Sequence, residues 1–199
     1  LVLTGPLDDT PIGSNPADPW RGKVLSDLPA LLASHQVPEG LENAGSFYRR
    51  FDHTDGGFGR VSGYTEDAVF AVLGLLAASR ANSAAGVDAA VSAAEPLLLA
   101  APDADGIVYE FLDGSGFVHA AYAGELLQVL AALDDWHEVV EASSSEVTAT
   151  VDVVALRLDG LQVKSGPLAG HWLESESWGF DGSIAAGMAR AFLCTGEDS

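Results

Sequence analysis

Four residues in this chain are the candidates for moving protons by their type and placing: Glu66, Asp67, His119 and Asp181. Each stands at the start of an apolar run. Glu66 and Asp67 open TEDAVFAVLGLLAAS, His119 precedes AAYAGELLQVLAAL, and Asp181 precedes GSIAAGMARAFL. Two carboxylates held near each other can divide into acid and base when burial raises one pKa. An imidazole serves as a general base near neutral pH. Each has a plainer use as well: first-turn acids favour the helix dipole, and a histidine at a helix start can be a packing residue. Four aromatics accompany them, Tyr64, Tyr122, Trp172 and Trp178, and tryptophan faces suit sugar rings. The stretch His171-Trp172-Leu173-Glu174-Ser175-Glu176-Ser177-Trp178 is the densest such cluster. It reads either as a substrate wall or as a loop folded over helix ends.

Other motifs are weaker. His137-Glu138-Val139-Val140-Glu141 is one residue short of the H-E-x-x-H zinc pattern and reads as a solvated helix face, so no metal is expected. No Walker loop or nucleophile elbow is present, and the glycines of Gly56–Gly63 follow no convincing strand. No cofactor is expected. Cys194 is the sole cysteine, sits among Phe192, Leu193 and Thr195, and reads as structural.

The 199 residues hold 29 acids against 9 basic residues, a net charge of −20. Such a charge repels nucleic acid and anionic membrane, so neither is expected as a partner. The acids are spread along the whole chain, which suits solubility in a salt-rich, halophilic setting better than a single cation site. The longest apolar stretch, near 68–78, is too short to span a bilayer, which takes about 20 residues. The expected protein is soluble, cytoplasmic rather than secreted. Leu1 at the start is read as a sign of processing or trimming, which leaves export open.

The elements that must position these groups are mostly helices. Residues 1–22 hold Pro6, Pro11, Pro16 and Pro19 among glycines and read as an extended arm, with one domain over 23–199. Helices are expected at 24–35, 65–80, 86–100, 118–133, 135–144 and 182–194, with Thr65 capping the second. Gly106–Phe117 reads as extended with a turn at Asp113-Gly114. A β-hairpin is expected around Asp159-Gly160, spanning 156–163, with a helix over 146–158 as its rival.

A repeat links the helix starts. Gly63-Tyr64-Thr65, Gly116-Phe117-Val118 and Gly179-Phe180-Asp181 each join a glycine and an aromatic to a helix. Those helices carry small residues (Ala71, Gly74, Ala123, Gly124, Ala186, Gly187) that permit close approach. Units of this length must stack to bury their apolar faces.

In this pattern the chain resembles the α/α-toroid proteins. DGGFG at 55–59 is similar to the glycine-rich repeats of protein prenyltransferases and terpene cyclases. GYTEDAVFAVLGLLAAS is similar to inner helices of six-hairpin sugar-acting enzymes and epimerase-like toroids. The resemblance implies an all-α, α/α toroid-like array of helical hairpins, forming a partial ring with short β-hairpin insertions. It also implies that the inner-helix starts line one mouth, gathering Asp55, Tyr64, Glu66, Asp67, His119, Tyr122, Glu125, Trp178 and Asp181. The isoprenoid motifs are not intact. Where prenyltransferases place a zinc-binding aspartate and then a cysteine, this chain has Asp67 and Val69, and Asp103-Ala104-Asp105-Gly106 lacks the last acid of D-x-D-D. The expected function is binding of, or acid–base action on, a carbohydrate or other small molecule. A non-catalytic helical-repeat module that self-associates or is completed by a second segment, and a diverged prenyltransferase-like protein, are the alternatives.

Overall fold

The computed structural model describes residues 19–49, 61–81, 86–174 and 178–195; of 19–26 and 178–180 it describes the backbone alone. Six helices make up most of it: α1 (Pro19–Ser34), α2 (Thr65–Ala81), α3 (Asp88–Ala100), α4 (Ala120–Val139), α5 (Ser145–Leu161) and α6 (Trp178–Thr195). Among the described residues there is no sheet, and β pairing is confined to isolated bridges. Helix α1 begins at Pro19, inside the stretch expected to be extended. Proline suits a first helical position because its missing N–H would be unpaired there anyway. The remainder of the expected arm, 1–18, lies outside the described residues.

Helix α4 is apolar nearly all round, and such a helix must lie at the centre. It packs against α2 on one side and α6 on the other, with α5 behind. Helix α3 backs α2 and touches α5, and α1 covers another face of α2. Among the described residues α4 thus joins α2, α5 and α6, with α3 packed on α2 and α5. Leu126, Leu127, Leu130 and Leu133 of α4 are fully buried with Val69, Val72 and Leu75 of α2.

Gly124 and Gly187 mark the closest approach. A Cβ on Gly124 would lie 2.5 Å from the Ile184 backbone, and one on Gly187 would lie 2.9 Å from the Gly124 carbonyl carbon. The two helices meet backbone to backbone, as their small residues imply.

Two expectations about elements are corrected. The β-hairpin at 156–163 is absent, because α5 runs through Leu161 and carries Asp159-Gly160 in its last turn. Val147, Val151, Val154, Leu158 and Leu161 form one buried helical stripe, and burial overrides β-branched propensity. Backbone pairing comes later: Gln162 bridges Trp172, and Val163 N–H donates to the His171 carbonyl at 2.8 Å. The separate helix at 135–144 is also absent. Helix α4 continues to Val139, and Glu141 at φ 54° ends it. The 106–117 segment is extended with its turn, as Tyr109 bridges Val118 and Asp113 accepts from Ser115 N–H at 2.9 Å.

Candidate functional site

The sequence around the start of α2 places two acids together, and the fold supplies them with a cation. Arg49 is held in place where its N–H donates to the Val61 carbonyl at 2.9 Å. Its Nε donates to Asp67 Oδ2 at 2.8 Å and its Nη2 to Oδ1 at 3.3 Å. Glu66 Oε2 lies 3.5 Å from Nη2, and the guanidinium carbon sits 3.5 Å over the Tyr64 ring. The hydrogen bond to Asp67 raises the Arg49 pKa further above its ordinary value. Tyr64 is itself steadied by the Phe111 ring at 4.4 Å and by a backbone bridge to Phe111. Thr65, expected to cap α2, donates its hydroxyl to the Tyr109 carbonyl at 2.8 Å. It ties the helix start to the 106–117 segment.

These charges border a groove of about 580 Å³ between α1 and α2. Its walls are Leu31, Leu32, Phe47, Tyr48 and Phe70, with Arg49, Glu66 and Asp67 as the charged lining and His35 beside them. An apolar hollow of this size with a few convergent polar groups has the general form of a small-molecule site.

The start of α4 lies next to this cluster. His119 Nδ1 accepts the Ala121 N–H at 3.0 Å and caps the helix. Its ring is 5.9 Å from that of Tyr122. The Tyr122 phenol is pushed up by burial and then by the charges of Glu110, Glu66 and Glu125, with Arg49 opposing. Glu125, on the following turn, is pushed up to about 7, first by burial and then by Glu66. Its Oε2 is shut off from solvent and has no hydrogen-bond partner among the described residues.

The other predicted groups are engaged by partners of their own. Asp181 is buried in the first turn of α6 and accepts from His171 Nδ1 and from the Trp172 N–H. Trp172 is only 7 % exposed and donates Nε1–H to the Leu158 carbonyl at 3.0 Å. It belongs to the core and offers no open ring face. Asp181→Asn should therefore cost about 1–2 kcal/mol of stability by weakening this charged anchor, read from urea unfolding midpoints. Trp178 opens α6, and its side chain lies outside the described residues, as does Asp55. Asp67 is thus paired with Arg49, His119 caps α4, and Asp181 is held by His171 and Trp172.

His137 corrects another expectation. It is buried against α3, with Nε2 2.8 Å from Glu95 Oε1, and not on a solvated face. Glu141, its expected companion, is exposed past the helix end. Among the described residues no group of three or more histidine, cysteine or acidic side chains could hold a metal. Burial, together with Asp134, pushes the half-buried Cys194 thiol up to about 12, which leaves it a poor nucleophile. No described helix is long and apolar enough to cross a membrane.

Arg49 is not among the residues expected at the mouth, whereas Glu125 is among them without a role of its own. Each had a signal. Arg49 is one of few cations in a strongly acidic chain, next to the aromatics Phe47 and Tyr48. Glu125 is the one charged residue in the apolar stretch 120–133. Comparisons with family models, with characterised proteins and with solved structures find no match to this chain. The function must therefore be argued from the site.

Proposed function

We propose that the groove between α1 and α2 binds a carbohydrate or a similar neutral polyol. The observation that carries this reading is the placing of Glu66 and Asp67, linked by Arg49, on the lining of an apolar and aromatic groove. Sugar hydroxyls donate readily to carboxylates, and the guanidinium supplies donors in return. The apolar face of a sugar ring can lie on Tyr48 and on Phe70, which is 52 % exposed. Two acids against one arginine leave the lining acceptor-rich. That balance disfavours a diphosphate, and with it the isoprenoid alternative. The stacked hairpins fit a partial α/α toroid, and the acidic excess fits a salt-rich setting.

A second reading has its own support. His119 and Asp181 are engaged in capping and anchoring, and α6 exposes Phe192 at 61 % and Leu193 at 78 %. These features suit an interaction module. A glycan array, followed by saturation-transfer NMR on the hits, separates the two. Binding that falls at least about tenfold in both Glu66→Gln and Asp67→Asn is expected, since a charged hydrogen bond contributes about 1.5–3 kcal/mol. An empty array with a mass that rises with concentration would replace the first reading by the second.

A further inference from the structure

The two acids that α2 contributes to the groove are not equivalent. Asp67 accepts two bonds from Arg49, at 2.8 and 3.3 Å, and its side chain is 23 % exposed. Glu66 meets the same guanidinium only at 3.5 Å and is 46 % exposed. One guanidinium cannot neutralise two carboxylates, so Asp67 is compensated and much of the Glu66 charge is left facing the groove. His35, also on the lining, has Nδ1 2.8 Å from the Leu31 carbonyl, where it can only donate, and it adds no charge as the neutral ring. Residues 50–60 carry Arg50 and Arg60 against Asp52 and Asp55, which leaves the balance as it is. Phe70 stands four residues after Glu66, and such positions on a helix lie one above the other, about 5–6 Å apart. Both line the groove, and Phe70 exposes half of its surface. A flat ring lying on Phe70 therefore brings a substituent at its edge within reach of Glu66.

We infer that the saccharide this groove takes is an amino sugar, whose ring lies on Phe70 and whose protonated amine binds Glu66. The inference rests on the groove being a carbohydrate site and narrows that class to saccharides bearing a cation. An ammonium brings three donors and a charge to a carboxylate that Arg49 leaves uncompensated. Bonds of that kind are roughly twice as strong as those a neutral hydroxyl makes. The ring hydroxyls are left to Arg49 and Asp67, which between them donate and accept. A sugar acid is disfavoured, since Glu66 and a chain of net charge −20 both repel it. N-acetylation removes the charge and with it the preference.

The experiment is a calorimetric titration of the whole protein at neutral pH with glucosamine oligomers, their N-acetylated counterparts and glucose oligomers of the same length. It is run on the wild type, on Glu66→Gln, and on Asp152→Asn as a control for general attraction to an acidic chain. Asp152 is exposed on α5, which does not line the groove, and circular dichroism confirms that each variant is folded. The amine-bearing oligomer is expected to bind about tenfold more tightly than the other two. Glu66→Gln should remove that advantage, and Asp152→Asn should keep it. Neutral oligomers that bind as tightly as the amine would overturn the inference and leave the carbohydrate site standing. An advantage that falls equally in both variants would overturn it as well, as mere attraction to the chain's charge. Binding of none of the oligomers would overturn both readings together.

Discussion

Gly187→Ala should destabilise the protein by about 2–4 kcal/mol, whereas Gly182→Ala, five residues earlier in the same helix, should be neutral or stabilising. Replacing a helical glycine by alanine ordinarily gains up to about 1 kcal/mol, because alanine loses less backbone entropy. Gly182 has open space where a Cβ would go, so that gain is available. At Gly187 the added carbon would press into the Gly124 carbonyl, which is backbone and has no rotamer to yield. Helix α6 must move away from α4, and contacts near Ile184 and Ala191 loosen with it. For a chain of this size the loss should lower the Tm by roughly 5–15 °C. Gly124→Ala meets the Ile184 backbone and should behave in the same way. The double variant should cost less than the sum, because one separation of the helices relieves both clashes. Thermal unfolding of the four variants at one pH and salt concentration checks the set, and a stabilising Gly187→Ala would contradict the packing described.

The same two glycines show what can be read from sequence and what cannot. Small residues inside an apolar run signal close helix approach, and Gly124 and Gly187 do make it. Ala186, which belongs to the same pattern, is exposed. Local composition shows that a contact is possible but not which neighbour takes it up. Helix α2 was legible because acids, apolar spacing and a closing arginine agree within one segment. Residues 156–161 are helical despite Asp159-Gly160, because Asp-Gly is a turn signal only where no buried stripe runs through it. Leu158 and Leu161 lie in the core that α5 shares with α4, which local propensity does not reveal.

In the candidate site, Glu66, Asp67 and Tyr64 come together as the repeat implies, since they are close in sequence. Their partner Arg49 stands 18 residues from Asp67 and becomes part of the site only through the fold. His119 and Asp181 sit at helix starts in sequence and in structure alike. Their side chains are turned to backbone and to His171, and helical periodicity carries no information on that. Trp172 suggests a ligand-facing ring by residue type alone, and its burial reverses the suggestion.

Glu125→Gln should make the protein more stable near and above neutral pH and leave it nearly unchanged below about pH 4.5. The direction follows from the sign of the shift. The unfolded carboxyl titrates near 4.5 and the folded one near 7, because burial and Glu66 oppose the charged form. The folded state therefore holds a proton that the unfolded state has lost throughout the interval between those values. Stability from the protonated carboxyl is fully present below about 4.5, falls progressively as the pH rises toward 7, and is lost above it. Glutamine keeps the shape and cannot ionise, so the variant escapes that loss. The residue is only partly buried, and solvent screening reduces the gain to about 1 kcal/mol at pH 8. Urea unfolding of both proteins at pH 5, 6, 7 and 8 and constant ionic strength gives the difference at each pH. The other carboxylates cancel in that difference, so it isolates Glu125. A difference that grows with pH fits a buried, proton-holding carboxyl. A constant difference, or one that shrinks, would mean that Glu125 is already ionised in the folded protein at pH 5.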